Sequence, residues 1–354
     1  MLLVGQSAWA NPLLINLPAD SWFRAPKTSL AAITPPAKYL SEKGIHCVTG
    51  PSAIVTGWSG GAYDPIRHKM FVWGGGHTNY CGNELYAFDV NSLTWERYTE
   101  PSLPPYDRDP LADGNPVSRH TYDGLQFLTH ADRFWAYGGS RSVDGGGTSL
   151  TWVFDASQKR WINRQPSGPA VPGAGHIYNL SSIYDPVSRK VFMRDPHHLY
   201  TYDYDRNTWT RLRDWAHSWN GQRGVLDSKR RLYFTIGSGE LQVYDIAANQ
   251  DVTAQWQTTG GSDVIALEGP GVDYDAKADT LVAFKGGGIQ ALDCKTKAWT
   301  AKSGTGAPPR LSENGTYGRW RYIAEYNVFI LVNSIEEDVY FYKHTAGGGS
   351  ASKP

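Results

Sequence analysis

Apolar residues along this chain fall in short runs, rich in aromatic and β-branched types, and each run is cut off by glycines or by an aspartate and a polar turn. The fullest copy reads Gly60-Gly61-Ala62-Tyr63-Asp64, a polar turn, Met70-Phe71-Val72-Trp73, Gly74-Gly75-Gly76, Leu85-Tyr86-Ala87-Phe88-Asp89, then Trp95. The phrase returns around Phe134 to Tyr137 and Trp152 to Asp155 with Trp161, and again around Val191 to Met193 and Leu199 to Asp203 with Trp209. Further copies hold Leu232 to Phe234 and Leu241 to Asp245 with Trp256, then Leu281 to Phe284 and Ile289 to Asp293 with Trp299. A last copy has Phe329 to Leu331 and Val339 to Tyr342 but no closing tryptophan. Runs this short, bounded by turn residues, predict strands rather than helices.

A repeat of ~40 to 50 residues with four short strands predicts an all-β propeller. Six blades are counted, starting near Thr56, Arg119, His176, Gly221, Gly269 and Asn314. A seventh hidden in 31–55 is the alternative, although nothing there carries the phrase. Ser21-Trp22-Phe23-Arg24 reads like Thr94-Trp95-Glu96-Arg97, so the N-terminal segment is expected to supply the missing outer strand of the last blade. Closure of that kind leaves no exposed sheet edge.

The double glycines, the aspartate-turn-tryptophan endings and their spacing resemble the kelch class of propeller. More closely, Trp73 to Glu84 and Ser118 to Tyr122 resemble uncharacterised, mostly secreted bacterial kelch proteins. Such a resemblance specifies architecture better than function.

Composition narrows the partners. Lys plus Arg and Asp plus Glu number 34 each, and zero net charge argues against nucleic acid or an anionic membrane surface. No apolar run approaches the ~18 residues that span a bilayer. Residues 1–10 end in Ala8-Trp9-Ala10 and read as the remnant of a signal peptide, which implies a secreted or periplasmic protein. Residues 11–346 form the propeller, expected as a monomer, and 347–354 have the composition of a flexible tail. An exported protein favours a Cys47–Cys81 bridge, with three free thiols as the alternative.

Candidate chemistry lies where loops carry polar residues that the repeat does not require. After Gly74-Gly75-Gly76 come His77, Asn79, Tyr80, Asn83 and Glu84. The second blade is expected to open its inner strand with Arg119, His120 and Tyr122, and Arg141 follows its double glycine. The third blade offers His176 and Tyr178, then Arg194 where other blades have glycine. Later blades add Trp219, Arg223, Glu268, Trp320 and Arg321. Arginines that grip carboxylates in two-point contacts and tryptophans that stack on sugar faces suit an acidic polysaccharide or oligosaccharide. The chemistry that uses them most directly is β-elimination of a uronic-acid-containing glycan.

Here the chain is similar to propeller-fold polysaccharide lyases, the ulvan lyases in particular, which use a tyrosine and an arginine on successive strands of one blade and histidines from an earlier one. Tyr178 and Arg194 stand in that relation, with His77 and His120 as the histidines. The resemblance implies Tyr178 as the proton-transferring group. The two histidines fall in successive blades rather than one, and six blades are counted where those lyases have seven. A non-catalytic sugar- or protein-binding propeller, a sugar isomerase or mutarotase, and a glycosidase using two of the rim carboxylates are the other readings. No cofactor is expected. A structural calcium near Asp107 to Asp109 or Asp144-Gly145 is left open, as is zinc, although His77 and Cys81 lie in a glycine-rich loop where their spacing has no helical meaning.

Overall fold

A computed structural model describes residues 10–45, 47–142, 144–167, 180–216, 221–302 and 306–348. They form six four-stranded antiparallel sheets. From the axis outward, blade 1 is Gly61–Asp64, Lys69–Val72, Tyr86–Asp89 and Thr94–Arg97. Blade 2 is Leu125–Leu128, Arg133–Tyr137, Thr151–Asp155 and Arg160–Asn163. Blade 3 is Ser181–Asp185, Lys190–Arg194, His198–Asp203 and Thr208–Asp214. Blade 4 is Arg223–Asp227, Leu232–Gly237, Glu240–Asp245 and Gln250–Asp251, and blade 5 is Gly271–Asp275, Thr280–Phe284, Ile289–Asp293 and Trp299–Lys302. Blade 6 takes Trp320–Ile323, Val328–Leu331 and Tyr340–Lys343 from one end of the chain and Ser21–Arg24 from the other. Each inner strand touches the next, and the sixth touches the first, so the ring is closed.

Closure occurs as the tryptophan pattern predicts. Trp22 pairs with Tyr342 across the outer edge of blade 6, and its ring lies 5.0 Å from that tyrosine and 5.6 Å from Phe284 of blade 5. Residues 31–55 hold short helical turns at Ala37–Glu42 and Ala53–Thr56 and, among the described residues, no blade strand.

The repeated aspartate has a local cause. In the hairpins after Asp64, Asp89, Asp155, Asp227, Asp275 and Asp293, one carboxylate oxygen accepts from the backbone N–H groups two and three residues on. Such Asx turns reverse the chain without a partner strand. Charged side chains then stitch the blades: Arg67 joins Asp64 at 3.0 Å to Asp132 of blade 2 at 2.6 Å, and Arg230 joins Asp227 at 2.7 Å to Asp279 of blade 5 at 2.6 Å.

A polar plug fills the axis. Arg223 donates to Asp123 at 2.5 Å with both side chains fully buried, and Asp123 also accepts from Gly224 N and Ser182 N. Gln126 donates to Ser182 O at 2.7 Å, and the Arg321 guanidinium approaches its amide oxygen at 3.4 Å.

The second blade corrects one expectation. Residues 116–122 do not form its inner strand: Arg119–His120 pairs with Ser140–Arg141 as a separate two-stranded ribbon, and the inner strand is Leu125–Leu128. The run ends at Tyr122, which sits at φ +47°, a left-handed conformation that stops an extended strand.

Candidate functional site: a rim cleft

One cleft of about 380 Å³ opens at the rim where the inner strands begin. Its lining is Trp58, His77, His120, Tyr122, Ser140, Gly145 and Glu268. Loops of blades 1 and 2 and the connections into blades 1, 2 and 5 all contribute, so residues far apart in sequence meet here.

The loop that follows Trp73 presents His77. It must pass over the 119–120 ribbon so closely that a Cβ at Gly76 would lie 2.0 Å from His120 N, which explains the glycines before His77. His77 N donates to Arg141 O at 3.1 Å, and Thr78 N donates to Ser142 O. The imidazole itself is exposed and lies against Gly145, where a Cβ would come within 2.1 Å of its Cδ2. Below the loop the Cys47–Cys81 disulfide ties it to the segment whose Val48, Thr49 and Gly50 N–H groups donate to Thr78 O and Asn79 O.

His120 is 2 % exposed. Its ring lies 4.9 Å from Trp58, 5.5 Å from His77 and 6.1 Å from Tyr122. Burial, reinforced by His77, pushes its pKa down to about 4, so the imidazole is uncharged at neutral pH. Trp58 Nε1 donates to Glu268 Oε1 at 3.1 Å, which joins the entrances of blades 1 and 5. Trp58, His77 and Tyr122 all sit at positive φ, of 47°, 44° and 47°. For bulky side chains that conformation is costly, and clustered outliers of this kind are found where function holds them.

The other sequence candidates go elsewhere. Asn79 lies at the cleft's edge, with its amide 2.9 Å from His120 Nε2. Tyr80 and Glu84 are buried beneath the loop, bonded to one another at 2.7 Å, and burial raises the Glu84 carboxyl to about 7. Arg119 is committed to Asp109 at 2.7 Å and to Val117 O and Gly138 O, over the Trp73 ring. Arg194 lies inside the ring between blades 3 and 4, donating to Trp215 O, Ala216 O and Thr235 Oγ1, and burial pushes its pKa down to about 10. Arg223 and Arg321 belong to the axial plug, where burial lowers Arg321 to about 10. Trp320, expected at the surface, is fully buried, with its indole donating to Val282 O and its ring stacked 4.8 Å from Phe329. Arg141 flanks the cleft and pairs with Asp144 at 2.6 Å. His176, Tyr178 and Trp219 lie outside the described residues.

Sequence reasoning missed Trp58. Its signal was the one that singled out His77: a large ring among glycines, in Gly57-Trp58-Ser59-Gly60-Gly61, with no blade ending to serve.

Among the described residues neither loop considered for calcium gathers three groups able to hold an ion. Asp109 is taken by Arg119 and Thr148, and Asp144 by Arg141 and Gly146 N. Among the described residues Asp227, Asp279 and Cys294 lie close enough to share an ion, but Arg230 already bridges the two carboxylates and burial raises the Cys294 thiol to about 12.

No helix among the described residues is long and apolar enough to cross a membrane. No family model matches the chain. Among solved structures it is similar to TolB from Acinetobacter baumannii, at 14% identity and a TM-score of 0.44, over 71% of this chain and 55% of that one. It is also similar to a chain of a nidogen/laminin complex, at 11% identity and a TM-score of 0.47, over 70% of this chain and 79% of the other. At these scores neither neighbour bears on function.

Proposed function

We propose that the rim cleft is a saccharide site and that the protein is a carbohydrate-active, kelch-type propeller that cleaves a uronate-containing polysaccharide by β-elimination. The observation that supports this most is the meeting of two aromatic rings, Trp58 and Tyr122, with two imidazoles, His77 and His120, in one open cleft. Aromatic faces stack on sugar rings, and imidazoles supply donors and proton transfer. In the reaction a base removes the C5 proton, a C4–C5 double bond forms, and the C4–O bond breaks with protonation of the departing oxygen. Acidity at C5 requires the neighbouring carboxylate to be neutralised. With Arg119 and Arg194 engaged in the ring, that task falls to His77 with Arg141 beside it, while the uncharged His120 contributes a hydrogen bond. Proton transfer is assigned to Tyr178. The Cys47–Cys81 disulfide favours an extracytoplasmic setting, where such a polymer would be met.

A second reading, non-catalytic binding of a neutral sugar, is favoured by the uncharged His120 and by Glu268, whose carboxylate faces the same cleft. One experiment separates them: incubation with a panel of uronate polysaccharides while following the ultraviolet absorbance of the unsaturated product. Growth of that absorbance, reduced ~10²- to 10⁴-fold in Tyr178→Phe, supports elimination. Binding without absorbance leaves the second reading, and neither binding nor absorbance removes both.

A further inference from the structure

We propose that Asn79 is a positioning residue that fixes the tautomer of His120, holding Nε2 as an acceptor and presenting Nδ1–H to the cleft as a hydrogen-bond donor. This rests on the saccharide reading of the same cleft and assigns His120 a part within it: a donor to a substrate oxygen, not the base that takes the C5 proton.

The geometry begins at the Asn79 amide, which lies between His120 Nε2 at 2.9 Å and Thr49 Oγ1 at 3.1 Å. Turned with its nitrogen toward the imidazole, the amide donates to Nε2 and reaches Gly76 O and His77 O, both at 3.2 Å, while its oxygen accepts from Thr49 Oγ1 at 3.1 Å. Turned the other way, its oxygen faces the carbonyl oxygens of Gly76 and His77, which are acceptors whatever the tautomer of His120. The hydrogen-bond network therefore selects the first orientation, and a nitrogen that accepts from an amide carries no proton. A neutral imidazole has one proton, so it resides on Nδ1.

Thr49 is fixed in turn. Thr49 N and Gly50 N donate to Asn79 O at 2.8 and 2.9 Å, and the Cys47–Cys81 disulfide closes the same two segments. The Nε2 edge of His120 is turned inward, since a Cβ at Gly57 would lie 3.4 Å from Cδ2. No described residue bonds Nδ1, and that atom is not sealed from solvent, which leaves it to the cleft that His120 lines. The titratable groups around the ring are His77, Tyr122 and, across the cleft, Glu268, with the Arg141–Asp144 pair behind His77. None of them accepts from or donates to Nε2.

Nitrogen-15 NMR of the histidine ring reads the tautomer in the intact protein without any substrate, so its outcome is independent of whether the protein cleaves a glycan. The wild type is expected to show His120 as Nδ1–H from neutral pH down to its titration. Thr49→Val, which keeps the shape but frees the amide to turn, is expected to populate the Nε2–H form. Asn79→Asp places a carboxylate on Nε2 and is expected to raise the titration midpoint by about 1 to 3 pH units. An Nε2–H imidazole in the wild type overturns the proposal, even if neither variant folds. So does an unchanged tautomer in Thr49→Val together with an unchanged midpoint in Asn79→Asp.

Discussion

The two rims of the ring are built on different rules. At the rim of the hairpin turns, Asp64, Asp227 and Asp275 begin the same turn with the same pair of backbone hydrogen bonds, and Asp89, Asp155 and Asp293 repeat it one hairpin further out. At the opposite rim the described loops show no such uniformity. Blade 4 reverses within Ser238-Gly239, whereas blade 1 spends the whole stretch from Trp73 to Leu85 and secures it with a disulfide. The cleft lies where the loops are long and individual, and a ring whose stability comes from the repeat leaves those loops free to carry chemistry.

If the arginines belong to the ring and not to the rim, removing one should cost stability first. Arg223→Ala strands the buried Asp123 carboxylate and should destabilise the fold by about 3 to 5 kcal/mol, measured by denaturant unfolding. A loss below ~0.5 kcal/mol would move Arg223 to the functional side of the comparison.

The next largest effect concerns the loop's own foundation. Burial raises the Glu84 carboxyl from 4.5 to about 7, so the folded state holds the proton more tightly than the unfolded chain. The stability this contributes is complete below 4.5 and is lost as pH rises through 7, a change on the order of 3 kcal/mol. Unfolding curves across that range should show the loss in the wild type and a flatter profile in Glu84→Gln. Equal profiles would show that Glu84 is not the group responsible.

On the repetitive rim a single turn matters less. Asp89→Ala removes acceptance from Asn91 N and Ser92 N on a partly exposed hairpin and should cost about 0.5 to 1.5 kcal/mol per hydrogen bond. At the cleft the ordering reverses: Trp58→Ala should change stability by under ~1 kcal/mol while abolishing most saccharide affinity. A large stability loss there would make Trp58 a blade residue in disguise.

Much of the ring was legible because its causes are local. An aspartate makes its own turn within a few residues of where it is read, and the tryptophan that closes each blade, with its Trp22 copy for blade 6, is legible because the same phrase is repeated along the chain. The second blade shows the limit. Nothing in Arg119 to Tyr122 announces the left-handed turn at Tyr122, which depends on the neighbouring connections it packs against. The arginines show another. Sequence identifies a guanidinium next to a glycine turn but not the carbonyls, such as Trp215 O and Ala216 O around Arg194, that occupy it. His77 was legible, since a histidine after three glycines has no core to enter. Asn79 was readable as polar, but its bond to His120 joins loops from two blades and is visible only in three dimensions.

The claim that most depends on all of this is that the cleft at His77, His120, Tyr122 and Trp58 binds sugar. Calorimetric titration with uronate oligosaccharides tests it directly, comparing the wild type with a His77→Ala/Trp58→Ala double variant of unchanged unfolding midpoint. The account predicts saturable binding by the wild type that the double variant loses. Equal binding by both proteins, or none by the wild type to any uronate oligosaccharide or its carboxyl-reduced neutral counterpart, would contradict it.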